Sequence, residues 1–531
     1  MTVLIALILL SIGAAVAFFL PPRHRTPHIA VSLVPLAALA ALLLRLPLPD
    51  SLSLPWSPAI LFPEPLTFRA GPNSVAFGVY FCCLLILIEW TRPLRQSPGR
   101  SSRVAAFLLT ISGITACFAS TPLAVIIVWS WIDFISFLVV LFMKSPVEIG
   151  PGGVSSPPSQ SIGILAANLL GSIFVLFSVL VGSSGPPSDW SAVGNAAPLS
   201  LSPLLFLTGV TFRLLIAPSL LSFPRMKSAS TGSEILLRIV SPAAALCFLA
   251  DVWPSLSVFS SGNPVGSGWI VILSLLVLAG GVQWSVSVSP FSRRGVFLAV
   301  LPGFALLSAF FSSGASGIFS AAGALLILGG GSLMVYIGYL SHRRWMAAFP
   351  ILLALLFAGI PFAPSTVWTA SVYPGLLASG DWLPLSVLAL CHVIILCAVF
   401  RTAFEPVEDF PSNEPLFLLT FSLGMGFSLL MLLYPGWPGA ESVAVAVAPA
   451  LLLLCAIPLA FLFGRYRRAG TSLLLLMERV LRLDWLHRGA ELVFRPAALA
   501  VSGVESFLSG EGAMLWSLGI ALLLYLVIRG G

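Results

Sequence analysis

Two residues carry charge where hydrocarbon should surround them. Arg213 lies in LSPLLFLTGVTFRLLIAPSLLSFPR, with at least ten uncharged residues on each side and Pro218 and Pro224 following. A guanidinium that deep in a bilayer costs at least ~3 kcal/mol on insertion scales, so it requires a partner or a wet cavity. Asp133 sits near the middle of a second apolar run, TPLAVIIVWSWIDFISFLVVLF. A buried acid and a buried base are the parts of a proton or ion path whose pairing changes with neighbouring charges. They are equally the parts of a static bridge that holds helices together. Pro218 frees a helix carbonyl, the mark of a kink or a water-lined break.

The remaining candidates are secondary. Glu234 and Arg238 are one helical turn apart, which reads as a local pair. His392, in LALCHVIILCAVFR, has the residue type suited to proton transfer near neutral pH; a hydrogen-bonded packing histidine is the plainer reading. Glu89, in LIEWTRP, reads as a cap at the end of its apolar run, and Asp251 and Asp381 read as solvated. The seven cysteines all fall in apolar runs and have no metal-site spacing, so no disulfide, metal or iron–sulfur site is expected. No nucleophile elbow, P-loop or dinucleotide fingerprint occurs, so no catalytic site and no cofactor are expected.

The elements that must position these residues are membrane helices. The chain is 58% hydrophobic and 8% charged, with a mean hydropathy of +1.05, which excludes an ordinary soluble globule. Runs long enough to span a bilayer centre in 2–20, 28–45, 74–91, 104–120, 122–143, 161–183, 200–222, 234–253, 268–288, 295–313, 316–340, 346–364, 383–402, 415–434, 444–464 and 513–529. The fold expected is an all-α polytopic membrane protein of about 14–16 transmembrane helices. Lys and Arg concentrate after the odd-numbered runs: Arg23 and Arg25, Arg92 to Arg103, Lys144, Arg225 and Lys227, Arg293 and Arg294, Arg343 and Arg344, Arg401, and Arg465 to Arg468, with Arg69 after the second run as the main exception. This is the positive-inside pattern; it puts odd-numbered helices' ends in the cytoplasm and the N-terminus outside, in a multi-pass protein of the cell inner (plasma) membrane. The first run has no basic residue before it and reads as a retained helix rather than a leader. The net charge of +7 is this loop bias and calls for lipid rather than nucleic acid as partner.

Four regions are expected: N-terminal transmembrane helices over 1–100, a core over 101–465, a lateral amphipathic segment over 466–512 and a final helix over 513–531. The segment 46–73 reads as a structured cap outside the membrane. The lateral stretch TSLLLLMERVLRLDWLHRGAELVFR alternates Leu, Val and Trp at helical spacing with charges; it is too charged to span and too apolar for a free tail. Runs four to eight and nine to thirteen have loosely similar lengths and spacing, the pattern of an inverted repeat.

The series Gly209, Arg213, Pro218, Pro224 resembles the seventh-helix region of the antiporter-like subunits of respiratory complex I and of Mrp-type cation/proton antiporters. That family has Gly-x3-Lys-x4-Pro-x5-Pro there, with the lysine as its central proton-handling group. The resemblance continues in LTFRAGPNSVAF (66–77), in WSWIDFISF (129–137) with Asp133 in a glutamate's place, and in the run from Gly281 to Phe310. It continues again in FAGIPFAP (357–364), ERVLRLDWLHR and GEGAMLWSLGIALLL, so that it covers nearly the full length. It implies an antiporter-like inverted-repeat bundle with a C-terminal lateral helix, and a proton- or Na⁺-translocating membrane subunit that works with other subunits of a complex I-related assembly. The departures are equally specific. The family's helix-eight lysine falls at Ala243, with Arg238 near a position where some members have histidine; its His-x6-Lys pattern falls roughly on Ser320 and Leu328. Arg213 stands where the lysine is expected, and arginine does not release its proton in proteins. The alternative expectation is therefore a degenerate, non-conducting scaffold subunit of such a complex.

Overall fold

A computed structural model of the chain describes residues 2–19, 25–43, 51–54, 65–91, 100–142, 159–182, 190, 193, 200–216, 232–256, 264–286, 290–312, 314–338, 347–403, 415–433 and 447–466. These belong to one compact unit, Met1–Leu474; a second unit, Leu475–Gly531, lies outside the described residues. The lateral segment beyond Tyr466, the final helix over 513–531, and Pro218 all lie outside them too.

The runs of Leu, Val, Ile, Phe and Ala fold as helices, because in hydrocarbon every backbone N–H and C=O must be satisfied within its own segment. In order these are α1 (Thr2–Phe19), α2 (Arg25–Leu43), α3 (Pro72–Thr91), α4 (Arg100–Phe118), α5 (Pro122–Phe142), α6 (Ser159–Gly182), α7 (Leu201–Arg213), α8 (Gly232–Val252), α9 (Pro264–Val286) and α10 (Pro290–Ala309). Next, α11 (Ala315–Ala324) runs through a π-helical turn, Leu325–Gly330, into α12 (Gly331–Gly338). Then come α13 (Ala348–Ala358), a π-helical turn at Trp368–Val372 leading into α14 (Tyr373–Ser379), α15 (Trp382–Ala403), α16 (Pro415–Leu432) and α17 (Val447–Tyr466). Among the described residues, six helices are long and apolar enough to cross a membrane; those at Ser233–Ser255 and Ala315–Tyr336 lie almost wholly inside the bundle. The chain is an all-α polytopic membrane protein.

Two runs expected as single spans are broken. The run 200–222 stops being helical at Arg213, and 346–364 stops at Ala358, with helix resuming at Thr366 past the end of the run. The first break is a Schellman-type end: Ile216 N–H donates to Thr211 O at 3.1 Å and Leu215 N–H to Phe212 O at 3.0 Å, with Leu215 at φ 57°. The second turns at Gly359, φ 90°, just before Pro361 and Pro364. Each break falls in the fourth helix of a five-helix group, α4–α8 and then α9–α15. Five is odd, so the second group enters the membrane from the opposite side, as an inverted repeat requires.

The segment 46–73 adds the one β element among the described residues. β1 (Ser51–Leu54) pairs antiparallel with β2 (Leu66–Arg69), with Leu54 opposite Leu66. Thr67 ties this hairpin to the turn between α4 and α5, its Oγ1 lying 2.8 Å from Ser120 Oγ.

Candidate functional site

Arg213 is fully buried, and Asp133 is 1% exposed. On α5, Trp129 and Asp133 are four residues apart and share one face; Trp131 and Phe134, on the other faces, are about half exposed at 52% and 50%. That division turns Asp133 inward and the bulky rings outward. On α7, Arg213 is the last helical residue, so its side chain reaches out from the end of the half-helix.

The two charges meet. Arg213 Nη1 donates to Asp133 Oδ1 at 2.7 Å and to Oδ2 at 2.6 Å. Nη1 also lies 3.3 Å from Asn168 O on α6, and Nη2 donates to Trp129 O at 3.0 Å. The guanidinium carbon stands 4.8 Å from the Trp129 ring centroid, within cation–π range. Ser241 of α8 closes the site, its Oγ lying 3.4 Å from both Arg213 O and Asn168 Oδ1. One nitrogen thus serves both carboxylate oxygens, while Arg213 Nε and Trp129 Nε1 have no hydrogen-bond partner among the described residues. A fork-on-fork pair would use two nitrogens; this arrangement leaves donor capacity for a second geometry of the same groups.

Close packing makes the meeting possible. A Cβ added at Gly171 on α6 would lie 2.9 Å from Gly209 O and 3.1 Å from Arg213 N, and one at Gly209 would lie 2.7 Å from Gly171 O. Glycine opposite glycine lets α6 and α7 approach backbone to backbone, as small residues do in membranes. That approach sets Asn168, one turn before Gly171, beside Arg213.

The secondary candidates sit elsewhere. Arg238 Nη2 donates to Glu234 Oε1 at 2.8 Å within α8, both side chains buried. His392 on α15 is 2% exposed and lies at the second helix break. Its Nε2 is 2.7 Å from Phe357 O and its Nδ1 is 2.7 Å from Tyr373 Oη. A carbonyl only accepts, so Nε2 carries the hydrogen and Nδ1 accepts from the tyrosine. Nearby, Trp368 Nε1 donates to Ser308 Oγ at 2.9 Å, and Ser365 Oγ donates to Leu356 O, a carbonyl left free where α13 ends. Glu89 is buried and faces Arg103 of α4, Oε2 to Nε 3.4 Å, so it lies inside the bundle instead of capping its surface. Asp251 is exposed and accepts from Asn73 Nδ2 at 2.8 Å. Asn168, Gly171 and Ser241 are the site residues that composition and motif did not single out, whereas Trp129 opens the quoted run WSWIDFISF. Asn168, an amide alone in the run ILAANLLGSIF, carried the clearest signal.

No protein-family model matches the chain, and no curated protein matches its sequence. Solved structures do. A chain of the Mrp complex from Dietzia sp. DQ12-45-1b superposes with a TM-score of 0.65 at 15% identity, covering 99% of this chain and 62% of that one. A chain of the membrane-bound sulfane sulfur reductase, an archaeal respiratory membrane complex, gives 0.67 at 13% identity over 98% and 99%. A chain of respiratory complex I from Thermus thermophilus gives 0.61 at 18% identity over 87% and 100%. The chain has the antiporter-like membrane-subunit fold. It spans 62% of the length of the Mrp-complex chain and essentially the whole of the other two. The break after Arg213 ends α7, the seventh described helix in chain order. The positions at which lysines were expected, Ala243 and Leu328, are fully buried among apolar side chains, and Ser320 is 6% exposed.

Proposed function

We propose that this chain is a proton- or Na⁺-translocating antiporter-like subunit of a complex I-related multisubunit membrane assembly, in which Asp133 and Arg213 form the central gating pair. One observation carries this reading: a fully buried acid–base pair stands at the end of a broken helix, among Asn168, Ser241 and the Trp129 carbonyl. A guanidinium does not release its proton in proteins. Asp133 is then the member of the pair that exchanges a proton or meets a cation, and Arg213 sets the field it does so in. Partners are other membrane subunits, bound in part through the lateral segment 466–512, with 1–100, 101–465 and 513–531 as the flanking and core regions. The orientation has the N-terminus outside the inner (plasma) membrane, from the loop charges.

The test is Asp133→Asn in the assembled complex, read as ion movement in sealed vesicles. A positioned proton-transfer group is worth about 10²-fold or more, so movement should fall by about that factor with assembly intact. Unchanged movement would end the gating role.

One observation favours a second reading, the non-conducting scaffold: His392 and its neighbours at the second helix break form neutral hydrogen bonds with no acid among them. Under that reading Asp133→Asn moves ions normally, whereas deleting 471–508 prevents assembly. An intact complex after that deletion counts against the scaffold.

A further inference from the structure

The surroundings of the Asp133–Arg213 pair differ sharply between its two ends. Along α8, Glu234, Arg238 and Ser241 fall at steps of four and three, one continuous face, and cover about 10 Å at 1.5 Å per residue. Ser241 touches the central site through Asn168 Oδ1 and Arg213 O. At the far end of that stripe, where α3 ends and α4 and α8 begin, stand two buried ion pairs. Glu234–Arg238 closes at 2.8 Å and Glu89–Arg103 at 3.4 Å. Between them the Ser102 and Ser233 hydroxyls meet at 2.9 Å and join α4 to α8. All four charged side chains are at most 9% exposed.

Toward the opposite end of α8 the pair meets rings instead. Phe248, seven residues beyond Ser241, packs 4.7 Å from Trp190 and 5.2 Å from Trp129, and Phe206 lies 6.1 Å from it. Aromatic side chains packed at these spacings supply no polar relay between the central pair and that face.

We propose that Glu89, Arg103, Glu234 and Arg238 form a charged gate that controls the access of Asp133 to one side of the membrane, with the α8 stripe as its route and the aromatic cluster as a fixed seal on the other side. The loop charges make the gated side the cytoplasmic one. The inference rests on the gating role given above to Asp133 and Arg213. In the closed form seen here the ion pairs hold α3, α4 and α8 together; separating them would admit water to Ser241 and so to Asn168. Two buried ion pairs suit this task, since together they tie the end of α3 to α4 and brace the start of α8.

The experiment is cysteine accessibility in the full chain. Ser241→Cys is placed in a wild-type background and in one carrying Glu234→Gln and Arg238→Gln, in membrane vesicles of each orientation. A small, membrane-impermeant cationic thiol reagent is added, and modification is read peptide by peptide so that the native cysteines act as controls. A minor open state is populated at about 0.1–10%, so loss of the closing pair should speed labelling about tenfold or more, from the cytoplasmic side alone. Equal rates with and without the gate substitutions, or labelling from the other side, overturn the proposal. Should that triple variant fail to fold, Ser102→Cys with Ser233→Cys supplies the second measurement. The disulfide locks α4 to α8 and should stop Asp133-dependent ion movement until a reductant is added; movement unaffected by the lock also overturns the gate. Labelling needs no transport. A chain that conducts nothing can still show the gate, and if the wild-type chain conducts while the Ser241→Cys thiol is never labelled, the proposed function stands and the gate falls.

Discussion

Arg213 has four polar contacts and one aromatic face around it, and the energetics of buried pairs say what each contact is for. Removing one member of a buried ion pair costs about 3–5 kcal/mol, because the other is left charged in low dielectric. Replacing both with apolar groups of similar volume is often neutral. Asp133→Ala should therefore lower the thermal stability of the purified subunit far more than Asp133→Leu combined with Arg213→Met. If the double variant is as unstable as the single one, the pair is not an isolated electrostatic unit. Arg213→Lys separates charge from geometry. Lysine keeps the cation but loses the fork that reaches Asp133 and Trp129 O together. It should cost about 1–3 kcal/mol from the unmade bonds, measurable as a fall in melting temperature. His392 makes the contrasting case. His392→Ala strands Tyr373 Oη and Phe357 O, each at about 1–3 kcal/mol, so stability should drop while ion movement through the Asp133 site persists. A proton handed to Nδ1 would have to leave through Nε2, which faces a carbonyl that cannot take one up. Loss of ion movement in a folded His392→Ala protein would refute this division of roles.

At the scale of elements, the two helix breaks are built by different means. Gly359 supplies a left-handed residue without cost, and a Cβ there would lie 2.7 Å from Thr369 Cγ2 and 2.8 Å from its Oγ1. Leu215 holds the same region of backbone at φ 57°, which costs about 1–2 kcal/mol for a residue with a Cβ. Its side chain is 2% exposed, and burying a leucine contributes about 1.5–3 kcal/mol. Burial wins, so Leu215→Gly should destabilise the fold slightly despite relieving the strained backbone; a higher melting temperature would show the weighing to be wrong. The α6–α7 contact is less forgiving. Gly209→Leu has no room, with Gly171 O and Val175 N both under 3 Å from the first added carbon. The helices must part, Arg213 must leave Asn168, and folded yield in detergent should collapse, well beyond the ~1–3 kcal/mol of ordinary overpacking.

Across the whole molecule, the described buried acid–base pairs gather in the first five-helix group and its neighbour α3. These are Asp133–Arg213, Glu234–Arg238 and Glu89–Arg103. The second group keeps a broken helix in the corresponding place but fills it with Tyr373, His392, Trp368 and Ser308. An inverted repeat whose halves differ in charge can move an ion by one half while the other serves as a rigid frame. The sequence by itself determined the membrane class, the order and near-boundaries of the helices and the two charges in hydrocarbon, because hydrophobic run length and the cost of a buried charge are local quantities. It also exposed the missing lysines, since those are residue identities. Only the tertiary structure decided that Asp133 and Arg213 meet, that Asn168 and Ser241 complete their site, and that Glu89 pairs inside the bundle with Arg103. It also ended the helix of run 346–364 at Ala358, short of the expected 364, and resumed it at Thr366. Each of those depends on which helix faces which, and that is set by packing between elements far apart in the chain: a glycine-to-glycine approach of α6 and α7, and an α8 face that carries charge at one end and rings at the other.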